Sequence, residues 1–167
     1  MSICFIAATF FINKLCFCLS PIALFAVLFY SYTKRFTSLC HVFLGIGQAL
    51  VPIGAYLAVA GEFSLIPIIF SIIVLGWMSG FDIIYALQDE EFDRSESLHS
   101  IPEHFGRKNA LRISIAIHII TAFLTIFIGI YANFSWLYWI GAILFIGCLY
   151  FQHSIVLIFL SPVLFTP

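Results

Sequence analysis

Residues 82–94 read Asp-Ile-Ile-Tyr-Ala-Leu-Gln-Asp-Glu-Glu-Phe-Asp-Arg, an acid-dense stretch in a chain otherwise nearly free of charge. Seven of the eight acidic residues lie between positions 82 and 103, and only Glu62 lies elsewhere. Charge at membrane depth is expensive, so acids gathered there point to a functional site. On a helix running unbroken through the stretch, Asp82, Asp89 and Asp93 stand at i, i+7 and i+11. At about 100° per residue they fall within roughly 40° of one another on one face. Three converging carboxylates suit a hard divalent cation and, through it, a phosphate-rich ligand. Asp89 and Asp93, one helical turn apart, are spaced to hold one Mg2+ whose octahedron water and phosphate oxygens complete. The alternative for any charge run is a solvated loop. Against it, Asp82 follows directly on an apolar run and the acids keep helical register.

Composition sets the class that must position these groups. A chain that is 63% hydrophobic and 9% charged, with a mean hydropathy of +1.13, is not a soluble domain with an ordinary polar surface. The formal net charge of −1 points to neither nucleic acid nor an acidic partner. The five cysteines form no C-x-x-C pair and read as small buried hydrophobes. The apolar N-terminus lacks the positive n-region and small-x-small cleavage site of a signal peptide.

The fold class read from these features is all-α, a polytopic transmembrane helix bundle forming one domain over residues 1–167. Candidate spans fall at 2–13, 20–32, 38–60, 64–87, 110–132 and 135–152, followed by an apolar tail. Residues 113–167 contain no Asp, Glu, Lys or Arg. Gly45, Ala49, Gly54, Ala58 and Ala60 give the third span a small-residue face for close packing. Lys34 and Arg35 sit in one connection, and Arg94, Arg107, Lys108 and Arg112 in or beside another, two spans away. Six of the seven basic residues therefore share one side, with Lys14 the exception. The positive-inside rule makes that side cytoplasmic, which implies an inner or cytoplasmic membrane with the acid cluster facing magnesium and phosphorylated metabolites.

The phrase from Phe81 through Arg94, followed by His99-Ser100-Ile101-Pro102 and Phe105-Gly106, resembles the second aspartate-rich motif of the UbiA-type membrane prenyltransferases. It is most similar to the 4-hydroxybenzoate polyprenyltransferase branch of ubiquinone and menaquinone synthesis. Tyr30-Ser31-Tyr32-Thr33-Lys34-Arg35-Phe36-Thr37 is similar to the Tyr-x-x-x-Lys-Arg-x-Thr segment those enzymes carry at a cytoplasmic helix end. The resemblance covers about residues 1–154. It implies an all-helical membrane enzyme of nine spans around a central cavity, transferring an isoprenyl chain from a polyprenyl diphosphate to an aromatic acid acceptor. In that picture Asp89 and Asp93 bind Mg2+ at the diphosphate. Lys34 and Arg35 meet the phosphates or the acceptor's carboxylate, and Arg94 and His99 join them in binding substrate. Asp82 and Tyr85 line the same face as catalytic groups, Asp82 as the base and either as a partner of the acceptor's phenol.

The chain departs from the family pattern at both ends. No Asp precedes Asp82, so the earlier aspartate-rich motif and its helices are expected to be missing, as is the last span. Half of the metal site would then lie outside this sequence, and the truncated chain alone is expected to be inactive. An inactive remnant remains open as an alternative, as does a transporter fragment whose carboxylates relay cations. His41, His118 and His153 are isolated on apolar spans and read as satisfied by neighbouring helices. Trp136, Tyr138 and Trp139 read as an interfacial belt.

The topology is testable by labelling. In a background without native cysteines, Glu103→Cys and Asn133→Cys are expected to react with an impermeant thiol reagent from opposite sides of the membrane, Glu103→Cys from the cytoplasm. Reaction of both from one side would sink the assignment.

Overall fold

The computed structural model describes residues 2–164, and at positions 31 and 159–164 the backbone alone. Its described elements are helices: α1 (Ser2–Phe10), α2 (Lys14–Thr33), α3 (Cys40–Ala60), α4 (Leu65–Ala86), the short α5 (Glu90–Ser95), α6 (Ile101–Tyr131) and α7 (Trp136–Leu164). Four of them, α3, α4, α6 and α7, are long and apolar enough to cross a membrane. With α2 at 20 residues, about 30 Å at 1.5 Å per residue, five helices run the height of the bundle. Their outward faces carry exposed large apolar side chains such as Phe123, Ile143 and Tyr150, a surface that lipid accommodates and water does not.

The N-terminal spans differ from the sequence expectation. Ser20-Pro21 does not divide two segments, because Pro21 lies inside a continuous α2. The break comes earlier, at Asn13. Its Oδ1 accepts the Cys16 amide at 2.8 Å as the N-cap of α2, while its Nδ2 donates to the Leu57 carbonyl of α3 at 2.7 Å. One side chain thus satisfies an orphan donor of α2 and adds a second donor to the Leu57 carbonyl, which also accepts the Gly61 amide. At 9 residues, α1 is too short to span and packs along α2. At the other end, the run expected as a tail continues α7 as far as Leu164.

The bundle is organised on α4, which packs most extensively against α3 and α6. Glycines make this approach possible. A Cβ at Gly45 of α3 would overlap Ser79 Oγ and sit 2.8 Å from the Leu75 carbonyl oxygen of α4. Gly76 and Gly80, a G-x-x-x-G pair on α4, accept Thr121 and the His118 ring of α6 directly against the backbone. Ser114 Oγ adds a hydrogen bond to the Gly80 carbonyl at 2.7 Å. The small-residue face of α3 therefore serves two neighbours. Gly45 and Ala49 are buried, whereas Gly54 and Ala58 border an apolar groove shared with α1 and α2. Of the five cysteines only Cys40 is buried, and Cys4, Cys18 and Cys148 lie on apolar outer faces.

Two glycines on α3 make a matched test. Gly45→Ala is expected to force α3 from α4 and to lower stability by about 1–3 kcal/mol, the usual cost of overpacking. Gly54→Ala, with no atom within 4 Å of the added Cβ, is expected to be neutral or mildly stabilising. Thermal unfolding in detergent micelles measures both, and equal effects would refute the α3–α4 contact.

Candidate functional site

The acid-dense stretch is not one helix. After Ala86 the chain tightens: the amides of Leu87, Gln88 and Asp89 bond to carbonyls three residues back, those of Ile84, Tyr85 and Ala86. Leu87 is buried with Ile83, Ile101 and Ala110, which fixes the turn. The chain then restarts as α5, so Asp82 does not share a helical face with Asp89 and Asp93 as the unbroken register predicts. The shorter relationship survives. The Asp93 amide bonds to the Asp89 carbonyl at 2.8 Å, and the two residues bracket one turn of α5. Ser97, in the left-handed region at φ 53, ends α5. The Leu98 amide returns to the Asp93 carbonyl at 2.8 Å, the bond expected of a Schellman cap.

Three ties hold this segment to the bundle. Lys34 Nζ at the end of α2 lies 2.6 Å from Asp93 Oδ1, whose side chain is fully buried. The His99 amide donates to the Lys34 carbonyl at 2.8 Å. Buried Glu90 is gripped by Arg94 at 3.0 Å and by the Arg107 Nε of α6. The α2–α3 connection and the α4–α6 segment thus meet at one end of the bundle, as the charge distribution predicts. A kink at Gly106, φ 75 and ψ 160, re-aims α6 just before Arg107, a conformation that favours glycine.

At this end Tyr30, Lys34, Cys40, His41, Asp82, Tyr85, Ala86 and Asp89 line a cavity of about 230 Å3. The structure therefore gathers Lys34, Asp82, Tyr85 and Asp89, with Asp93 behind Lys34. It does not bring Arg35, Arg94 or His99 to the lining. Arg35 stacks over Tyr32, Arg94 serves Glu90, and His99 is exposed and acts through its backbone. Sequence reading missed His41, whose Nδ1 lies 2.7 Å from Asp82 Oδ2, and the Glu90–Arg107 pair. Neither pair has a spacing that marks it, since 41 and 17 residues separate the partners. The satisfied-histidine reading holds for His41, whose ring meets Asp82 of α4 and the Ile101 amide of α6, and for His118, whose Nδ1 lies 2.8 Å from His153 Nε2 and whose Nε2 lies 3.1 Å from the Trp77 carbonyl.

The donor set bears on metal binding. Among the described residues no three His, Cys, Asp or Glu side chains converge as a cation site. A dedicated protein cage is therefore not present among them. Magnesium, however, is commonly held by one or two carboxylates with water and substrate phosphates completing the shell. Asp93 Oδ2 is buried without a hydrogen-bond partner, and Asp89 borders the cavity, so the carboxylates present fit that second mode.

A family model described as the UbiA prenyltransferase family matches residues 1–158. The chain is 30% identical over 134 residues to a 4-hydroxybenzoate octaprenyltransferase of Francisella tularensis subsp. mediasiatica, covering 80% of this chain and 47% of that protein. It is 29% identical over 138 residues to the enzyme of the same name from Paraburkholderia phymatum, covering 83% and 48%. The chain thus spans about half the length of the curated relatives it matches. The apo structure of a UbiA homolog from Aeropyrum pernix K1 superposes with a TM-score of 0.86 at 29% identity, over 96% of this chain and 60% of that one.

The Lys34–Asp93 tie predicts non-additivity. Lys34→Met, which strands a buried carboxylate, is expected to destabilise more than Asp93→Asn, which removes the charge. The double variant should fall short of the sum by about 0.5–3 kcal/mol in unfolding measurements. Strict additivity would show that the contact holds nothing.

Proposed function

Because the chain belongs to the UbiA prenyltransferase family, we propose that it carries one aspartate-rich half of a site that transfers a polyprenyl group from its diphosphate to an aromatic acid such as 4-hydroxybenzoate. The observation that carries this reading is the cavity that unites Lys34, Asp82, Tyr85 and Asp89 at the end of an uncharged bundle. The names of the similar enzymes support the acceptor, and quinone biosynthesis is the corresponding role. Six of the seven basic residues lie at or beside this end, which supports a cytoplasmic orientation in the inner membrane.

Asp89 and Asp93 are the residues that would hold Mg2+, and bound magnesium offsets charge on the departing diphosphate. The Lys34–Asp93 pair is suited to such a ligand. Opening it strands the fully buried Asp93 carboxylate and frees the partly exposed Lys34 ammonium, a cost relieved when each finds a new partner. A cation for Asp93 arriving together with phosphate for Lys34 supplies both. Ionisation of the carbon–oxygen bond leaves an allylic cation, which the ring carbon ortho to the phenol attacks. Asp82, on the cavity wall, takes the proton, and the Tyr85 hydroxyl orients the phenol.

Purified protein in detergent tests the diphosphate half directly. Magnesium and inorganic pyrophosphate together, but neither alone, are expected to raise the unfolding free energy by about 2.7 kcal/mol at a hundred times the dissociation constant. Asp89→Asn and Asp93→Asn should each abolish the rise. In membranes where transfer of a polyprenyl group to radiolabelled 4-hydroxybenzoate is measurable, the same variants should lower the rate about 10²–10³-fold. Unchanged pyrophosphate binding in both variants would remove the D-x-x-x-D from the site.

A further inference from the structure

His41 is fully buried in the first turn of α3, and its ring joins three helices. Its Nε2 lies 3.3 Å from the backbone nitrogen of Ile101, in the first turn of α6. Its Nδ1 lies 2.7 Å from Oδ2 of Asp82 on α4. A backbone N–H only donates, so Nε2 must offer its lone pair. The one ring proton is then on Nδ1, aimed at the carboxylate. An imidazolium would set two N–H groups face to face at Ile101.

We propose that His41 is a positioning residue: a neutral imidazole whose Nδ1–H holds Oδ2 of Asp82, so that Oδ1 is the oxygen presented to the cavity and to the acceptor's phenol. The Ile101 amide is one of the helix-start donors that need an outside acceptor. Ser100, the N-cap, is occupied with the Glu103 amide at 3.3 Å, which leaves the Ile101 amide to His41. This backbone anchor fixes both the tautomer and the ring plane, as an outer hydrogen bond does for histidines that orient a reacting group. Asp82 is 22% exposed at its side chain and lines the cavity, so with Oδ2 engaged its remaining oxygen is the one available to a ligand. The pair also divides the acids by task. Asp82 belongs to His41 and the acceptor side, whereas Asp93 belongs to Lys34 and the phosphate side. A single rotamer of Asp82 would thereby aim its lone pair before substrate arrives.

The role assigned to Asp82 rests on the proposed prenyl transfer, whereas the state of His41 does not, and the experiment separates them. Protein labelled with 15N in its imidazole rings is examined in detergent by two-bond correlation spectra, with the His41 signals identified by their loss in His41→Asn. The expected pattern is a protonated Nδ1 and bare Nε2, with the Nδ1 signal moving in Asp82→Asn. A protonated Nε2, or an Nδ1 signal indifferent to Asp82→Asn, would overturn the proposal. Binding of 4-hydroxybenzoate to the same samples gives the second readout. His41→Asn, whose Nδ2 replaces the Nδ1–H donor, should keep affinity within about threefold, whereas His41→Leu should lose about tenfold or more. Equal losses in both would leave His41 a packing residue and also overturn the proposal. Absence of 4-hydroxybenzoate binding to the unmodified protein, with the predicted tautomer present, would refute the acceptor reading and with it the task assigned to Asp82, but not the state of His41.

Discussion

The constraint on which the rest depends is the absence of side chains along two lines of α4's contacts. Helices in lipid gain little from hiding apolar surface against one another, so close packing and interhelical hydrogen bonds set their register. Here Gly45 of α3 and Gly76 and Gly80 of α4 let backbones and polar side chains touch, with Ser114, His118 and Thr121 of α6 meeting α4 at its glycines. A shift of one turn along α4 would drive larger residues into these contacts. The register so fixed decides the depth of Asp82, two residues beyond Gly80, and hence the height at which the cavity opens. Packing along α4 thereby determines where the chemistry-bearing end begins.

Electrostatics then sorts the groups at that end. Four acids lie between Asp89 and Asp93 counting both ends save Phe92, and unpaired they would repel one another in a poorly screened setting. Instead each buried acid has its own cation: Asp93 has Lys34, and Glu90 has Arg94 and Arg107. Asp82 takes a neutral ring rather than a cation. Glu91, exposed, is left with a long 3.8 Å contact to Arg107 that solvent screens. The cavity edge therefore carries Asp82 and Asp89, while buried Glu90 and Asp93 lie behind it, each paired with a cation.

Much of this was legible from residue order. Long apolar runs locate α3, α4, α6 and α7 because lipid demands continuous apolar helix. The basic residues place two connections at one end, and Asp89-x-x-x-Asp93 reads as one helical turn because that relation is local. What failed was non-local. The break after Ala86 depends on Leu87 entering a pocket made by Ile101 and Ala110, residues of another helix. Pro21, locally a breaker, is tolerated in α2 because neighbouring helices stabilise a spanning segment around it. His41 looked inert because its two partners come from α4 and α6. Arg35, Arg94 and His99 were carried over from the family resemblance, whereas the fold turns them outward.

The short helix α5 shows how the two levels join. Six residues cannot hold a helix unaided, since nucleation is costly and few bonds repay it. Its geometry therefore comes entirely from its ties: Leu87 before it, the Glu90 clamp along it, Asp93 on Lys34, and the return of the Leu98 amide at its end. These ties reach α2, α4 and α6, so the position of Asp89 and Asp93 reports the packing of the three together. One of these ties, Lys34 to Asp93, is made by the two groups to which the proposed function assigns a charged ligand. The other ties involve neither residue's side chain. An anion drawn to Lys34 and a cation drawn to Asp93 could exchange that one contact while the Glu90 clamp, the Leu87 anchor and the helix cap keep α5 in place. On that proposal the segment stays anchored by the contacts that involve neither side chain, and only the Lys34–Asp93 pair changes partners.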